Sequence, residues 1–244
     1  MNKKTTLRRW LGSVFSAMTI SMLSCAAQAV PIVTNGSFNT NSSVSVPAEI
    51  SSNIPNWSIS NGSFLACVLT GSITSNVCGT SGGSAGAELW LSPGPSPDGG
   101  NYILMDGDPS FSHTLSQIVN GLVVGQWYDV DFFQAAAQFK CAFCNGITTE
   151  QWRVTFGTEI QFSNLMSNVQ RDHDIVPWQS EKMTFKATNA SQALEFFAVG
   201  TPIGIPPVVL LDGVSVTAVP EPATLALMGM GLAGLLLRRR PAGT

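Results

Sequence analysis

Four stretches in the second half of the chain alternate strictly between apolar and polar side chains, and this period of two restricts the fold more than any other feature. Tyr128, Val130 and Phe132 share one parity against Asp129 and Asp131. Trp152, Val154 and Phe156 alternate with Gln151, Arg153 and Thr155, and Met183, Phe185 and Ala187 with Lys182, Thr184 and Lys186. Leu194, Phe196 and Ala198 repeat the pattern in a more apolar stretch. A side-chain period of two describes a strand with one face in a core and the other in water. Shorter β-type runs cover residues 30–33, 102–105, 111–119 and 208–217, with turn signals at Asn35-Gly36 and from Gly121 to Gly125. About eight or nine short strands separated by turns predict an all-β protein, an antiparallel β-sandwich. Residues 134–139 read as a short helical exception, and residues 67–100 as a long Gly/Ser/Pro-rich connection of the kind that often carries function.

Both ends fall outside that pattern. Lys3, Lys4, Arg8 and Arg9 precede an apolar run over residues 10–23, and Ala27-Gln28-Ala29 supplies small residues for cleavage by signal peptidase after Ala29. Cys25 follows Met22-Leu23-Ser24, a poor lipoprotein signal. At the other end Pro220-Glu221-Pro222 leads into an apolar segment, residues 223–237, and then Arg238, Arg239 and Arg240. Fifteen residues rise about 22 Å as a helix, short of the roughly 30 Å hydrocarbon core, so the segment is expected to be a transient stop in the inner membrane, its arginines inside. The chain therefore divides into a signal peptide (1–29), one sandwich domain (30–217) and a tail (218–244).

Removing the ends changes the charge. Residues 30–217 hold five basic side chains against fourteen acidic ones, a net charge of −9, which excludes a phosphate-backbone footprint and hence nucleic acid as a partner. Cys67, Cys78, Cys141 and Cys144 suit an oxidising compartment, and the local pairing, Cys67 with Cys78 and Cys141 with Cys144, is expected. The C-x-x-C at 141–144 lacks the βαβ context of a redox motif and the ligand spacing of a zinc site.

Asp212 shares the parity of Val208, Leu210, Val214 and Val216, on what reads as an apolar face. A carboxylate there needs a hydrogen-bonding cage, a cation such as structural calcium, or a bulge at Gly213 that turns it outward. Asp106-Gly107-Asp108 reads first as a strand-ending turn, Arg171-Asp172-His173-Asp174 as a solvated loop, and His113 lacks an evident nucleophile partner. No catalytic motif is present, and the chain is not expected to be an enzyme. A ring face packs on the C–H face of a pyranose. Trp90, in the long connection, and Trp178 are the candidates for such a contact.

Two resemblances complete the reading. The Pro220-Glu221-Pro222 triplet, the short apolar segment and the arginine cluster resemble the PEP-CTERM sorting tail of Gram-negative bacteria, which implies processing by an exosortase and a place in the cell envelope or extracellular matrix. Asn35-Gly36-Ser37-Phe38, Ile54-Pro55-Asn56-Trp57, Gln117, Gly125-Gln126-Trp127-Tyr128 and Leu211-Asp212-Gly213-Val214-Ser215-Val216 resemble the galactose-binding-domain-like jelly rolls, among them carbohydrate-binding modules and DUF642 wall proteins. That resemblance implies adjacent first and last strands with calcium between them, Asp212 at the closing-strand ligand position and Asn39 where the group usually has Glu. It also implies noncatalytic binding of extracellular polysaccharide. The alternatives are a structural matrix protein without a sugar site and a polysaccharide hydrolase or lyase.

Overall fold

The computed structural model describes residues 33–40, 48–49, 54–60, 66–70, 77–78, 87–111, 113–142, 144–167, 173–205 and 207–220, with tail positions 227, 229–231 and 234. The expected signal peptide, Glu221, Pro222 and the three arginines lie outside the described residues, as does most of the expected first strand. In chain order the strands are β1 (Ala48–Glu49), β2 (Ser58–Ile59), β3 (Ala66–Thr70), β4 (Val77–Cys78), β5 (Ala87–Glu88), β6 (Asn101–Asp106) and β7 (Thr114–Asn120). They continue as β8 (Trp127–Gln138), β9 (Thr149–Phe156), β10 (Glu159–Phe162), β11 (Met166–Ser167), β12 (Val176–Lys186), β13 (Ser191–Thr201) and β14 (Pro207–Ala218).

Two antiparallel sheets form the sandwich. The first has the order β1-β3-β6-β14-β8-β12; the second has the order β10-β9-β13-β7-β2, with β11 also on β9. Strands β4 and β5 form a separate pair. The alternating residues face each other between the sheets: Tyr128, Val130, Phe132, Met183 and Phe185 from the first, Trp152, Val154, Phe156, Leu194 and Phe196 from the second. Trp152 is fully buried, meets Phe196 edge-on at 5.9 Å, and its Nε1–H donates to the Leu210 carbonyl of the opposite sheet at 3.1 Å. One side chain thereby joins the layers by both packing and a hydrogen bond.

A second apolar cluster lies on the outer face of the first sheet. Cys67, Leu69, Tyr102, Leu104, Ala135, Ala137, Val208 and Leu210 are covered there by Leu89 and Phe139, with Ile175 and Trp178 packed against them. This explains the departure at residues 134–139, which continue β8 instead of forming a helix. Where only one face is covered, the burial of β8 alternates; from Gln134 onward both faces are covered, and the period disappears. The expected long connection over residues 67–100 likewise contains β3, paired with β6, and the β4–β5 hairpin.

The N-terminal segment closes one corner. Val214 N–H donates to Gly36 O at 3.0 Å, and a Cβ at Gly36 would run into the Val214 carbonyl. Asn35 holds the segment in shape, accepting from Thr40 N–H at 3.0 Å and donating to Pro55 O at 3.1 Å. Its carbonyl accepts from Trp57 Nε1–H at 2.9 Å. Phe38 enters the core against Trp57, at 5.4 Å between rings.

Candidate functional site

Among the described residues, no second cluster covers the outer face of the second sheet. Its registers place Phe162, Arg153, Phe197 and Thr114 side by side across β10, β9, β13 and β7. The adjacent row is Ile160, Thr155, Glu195, Ser116 and Ser58, and Gln151 pairs with Val199 on the other side. Directly opposed side chains in such rows lie about 5 Å apart. Phe162 is 56% and Ile160 55% exposed. The Arg153 guanidinium carbon stands 4.1 Å from the centre of the Phe197 ring, stacked on it. Among the described residues no carboxylate pairs with Arg153, whereas Lys140 is paired with Glu88 at 3.1 Å and Lys182 with Asp129 and Asp131 at 2.9 and 3.1 Å. An open groove of about 580 Å³ continues the face past its β7–β2 edge, lined by Thr34, Asn56, Ser58, Ser116, Ile118 and Asn120 among others. Flat rings, a guanidinium held by stacking, and short hydroxyl and amide side chains together offer apolar C–H contact and hydrogen bonds on one surface.

None of these positions was singled out by motif. The sequence does contain a signal for them: Phe196-Phe197 puts two rings on opposite faces of one strand, so one of them must leave the core. Arg153 is likewise the one cation of its own alternating strand, in an acidic domain.

Trp90 and Trp178 sit elsewhere, over the first sheet, and both are half-buried. Trp90 Nε1–H donates to Cys144 O at 3.3 Å, and its ring stacks on His173 at 4.0 Å. His173 Nε2 lies 3.1 Å from Cys144 O and 2.9 Å from Asn145 Oδ1. Cys141 and Cys144 form a disulfide with Cα atoms 5.0 Å apart, and Cys67 is also disulfide-bonded. Trp178 Nε1–H donates to Gly94 O at 3.1 Å, with its ring edge-on to Tyr102 at 5.2 Å. Each indole thus fastens a connecting segment to its neighbours. Arg171 and Asp172 lie outside the described residues.

Asp212 is fully buried on the face of Val208 and Leu210, and not on that of Val214 and Val216. A bulge between Asp212 and Ser215, with Gly213 at φ 60°, shifts the parity of β14. Val209, Leu211, Val214 and Val216 consequently face the sandwich core. Val208, Leu210 and Asp212 face outward, where Ser96 and Asp98 approach from the loop before β6. The bulge therefore turns Asp212 out of the main core but not into water. Neither carboxylate oxygen has a hydrogen-bond partner of regular geometry. Burial pushes its pKa up to about 7, with Ser96 and Gly213 opposing the rise and the charge of Asp98 adding to it. Such a group takes up either a proton or a cation. Asn39 lies at the same corner, with its Oδ1 accepting from Asn101 N–H at 2.7 Å.

Asp106-Gly107-Asp108 forms a turn. Asp106 Oδ1 accepts from Asp108 N–H at 2.7 Å, and the Asp108 carboxylate accepts from Ser110 N–H at 2.8 Å and Gly204 N–H at 2.7 Å. His113 Nδ1 meets Ser60 O at 3.0 Å. Among the described residues no group of three or more His, Cys, Asp and Glu side chains could hold a metal ion.

Comparison with known proteins finds a family match in the tail. Residues 218–240 match the family described as the PEP-CTERM protein-sorting motif, which marks an exported, exosortase-processed protein of the cell surface. No curated protein matches the chain. Similar solved structures include TmCBM61 in complex with β-1,4-galactotriose, at 14% identity and a TM-score of 0.46, covering 78% of this chain and 100% of that one. A second is the CBM22-1 xylan-binding domain of Paenibacillus barcinonensis Xyn10C, at 9% identity and a TM-score of 0.39, covering 80% and 98%. A third, a CBM4 structure, has 14% identity and a TM-score of 0.33, covering 77% and 99%. These neighbours are carbohydrate-binding modules with jelly-roll β-sandwich folds, and the present chain is an all-β sandwich of two antiparallel sheets.

Proposed function

We propose that the sandwich is a noncatalytic polysaccharide-binding module of the cell envelope or extracellular matrix, exported by way of the tail and binding glycan on the open face of the second sheet. The observation that carries this reading is the row Phe162, Arg153 and Phe197, an aromatic surface with a stacked guanidinium that has no carboxylate partner among the described residues, beside Thr155, Glu195 and Gln151. Apolar area left in water across a sheet face costs solubility unless it is covered by a ligand.

The test is an array of extracellular polysaccharides probed with the exported protein and single variants. Phe197→Ala and Phe162→Ala are expected to weaken saturable binding by about 30-fold, the size of a central contact worth about 2 kcal/mol. Trp90→Ala and Trp178→Ala remove the other candidate rings. Binding lost only in those variants would move the site to the loops over the first sheet. Absence of binding to any polysaccharide would leave a structural matrix protein, the second reading. Turnover of a polymer abolished by one carboxylate substitution would make the protein a hydrolase or lyase.

The corner at Asp212 supports a structural calcium. Calcium prefers oxygen donors, and Asp212 offers two unpartnered carboxylate oxygens near Ser96 and Asp98. Asn39 would contribute only by exchanging its bond to Asn101. The ion would neutralise the buried carboxylate and tie β14 to the preceding loop. Adding calcium at one hundred times its dissociation constant is expected to stabilise the fold by about 2.7 kcal/mol. An unchanged melting temperature between excess calcium and excess chelator would count against the site, as would a calcium response undiminished in Asp212→Asn.

A further inference from the structure

We propose that the end of the sandwich from which the tail departs is a lipid-docking surface, which seats the domain on the outer leaflet of the membrane holding the tail. The proposal rests on the tail's apolar segment, residues 223–237, being membrane-held before processing. β14 ends at Ala218, and the chain leaves along the start of β8. There Val219 N–H donates to Trp127 O at 2.9 Å, and Gln126 Nε2–H donates to Val219 O at 2.7 Å. Around this exit the fold leaves Val123 62%, Val124 62% and Trp127 48% exposed.

These side chains are held in place. The loops 121–126 and 187–190 bond to one another through Leu122 N–H to Ala190 O at 3.1 Å, Gly125 N–H to Ala187 O at 2.8 Å and Ala187 N–H to Gln126 O at 2.9 Å. Val123 N–H also donates to Tyr128 Oη at 2.8 Å. The two valines are thus presented at a braced loop tip without being buried.

The electrostatics of this end differ from those of the domain. Residues 119–128 and 186–192 contain no carboxylate, although residues 30–217 contain fourteen acidic side chains against five basic ones. Lys186 Nζ stands 5.7 Å from the centre of the Trp127 ring. Glu159, at the start of β10, accepts from Lys186 N–H at 3.4 Å and from Gln161 Nε2–H at 3.0 Å, and Asp129 is occupied by Lys182 and Thr184 at 2.9 and 2.7 Å. Valines, a tryptophan and a lysine suit the boundary between headgroups and acyl chains, where the ring sits amphipathically and the cation meets phosphate.

The tether makes the contact nearly unavoidable. Four residues, Val219 to Pro222, lie between Ala218 and Ala223, the start of the apolar segment, and the five steps span at most about 18 Å when fully extended. The exposed apolar end is therefore confined near the leaflet. This posture would also hold Pro220-Glu221-Pro222 at the membrane surface, where a membrane-embedded processing enzyme can reach it.

The experiment uses the full chain reconstituted in vesicles of zwitterionic and anionic phospholipid, with a polarity-sensitive fluorescent amino acid at Val124 or, at the opposite end, at Ile203, which is 70% exposed. The label at 124 is expected to shift to the blue and to lose most of its quenching by aqueous iodide. The label at 203 is expected to remain fully quenchable. A Val123→Asp change should return the label at 124 to water while the chain still floats with the vesicles. Equal quenching at 124 and 203 in floating chains would overturn the docking and spare the membrane-held tail. Chains that do not float would overturn both. Shielding of 124 only when a processing enzyme is reconstituted alongside would replace the lipid surface by a protein one.

Discussion

Trp152→Ala is expected to cost about 3–5 kcal/mol of folding stability, a large part of what a domain of this size possesses. The indole is fully buried, in edge contact with Phe196, and supplies a hydrogen bond from the second sheet to the Leu210 carbonyl of the first. Truncation removes apolar contacts from both layers and leaves that carbonyl without its indole donor. Trp152→Phe separates the two contributions, restoring most of the packing but not the N–H, and is expected to recover more than half of the loss. Chemical denaturation at fixed pH measures both. A loss below about 1 kcal/mol in Trp152→Ala would mean that the sheets do not depend on this contact.

The second large effect runs with pH and has the opposite sign to that of a salt-bridged carboxylate. Glu150 faces the core at one end of the sandwich, fully buried, with neither oxygen partnered, and burial pushes its pKa up to about 8 against the opposing influence of Thr148. The folded protein holds this proton when the unfolded chain has already released it. Stability is therefore highest below the unfolded value near 4.5 and falls as pH rises toward 8. The full loss is on the order of 5 kcal/mol, an upper bound. Asp106 and Asp212, each raised to about 7 chiefly by burial, act in the same direction between their unfolded values near 3.8 and pH 7. Asp129 opposes them at the acid end: burial works against its charge, but Lys182 and Thr184 hold its pKa below the usual value, so its contribution disappears only in strong acid. The fold should accordingly be firmest in mildly acidic buffer and weaken toward pH 9. In Glu150→Gln the decline between pH 7 and 8 should flatten, while below pH 7 a shallower decline, that of Asp106 and Asp212, persists. A melting temperature that rises steadily from pH 5 to 9 would contradict this assignment.

How far the residues alone reveal the structure depends on how many faces of each strand are covered. Val130, Phe132, Val154, Phe156, Phe185 and Phe196 alternate because only one face of their strands is covered, and all of them lie in the core. Ala135, Ala136 and Ala137 read as helix because both faces of β8 are covered there, by the main core and by the outer cluster, and no period remains. Asp212 keeps the face of Val208 and Leu210, but Gly213 at positive φ, the bulge among the three expected outcomes, sends Val214 and Val216 to the other face. The motif at Asn35-Gly36 was readable because only a glycine fits against Val214 O, and because Asn35 must serve both the Thr40 turn and Pro55. The candidate binding row was not readable as a motif. Phe162, Arg153 and Phe197 come from three strands and become neighbours only through register.

The position of β14 between β6 and β8 bears on when this protein can finish folding. Export proceeds from the N-terminus, so the strand that fills the middle of the first sheet is the last strand of the sandwich to emerge. Until it does, β6 and β8 present open edges to each other across a gap that no earlier segment fills, and Trp152 has no Leu210 carbonyl to meet. Only two residues, Val219 and Pro220, separate the end of that strand from Glu221 of the sorting triplet. If the tail is membrane-held as proposed, completion of the sandwich and arrival of the tail at the membrane would fall at nearly the same moment, and an unfinished domain would meet the processing enzyme with its central seam still open.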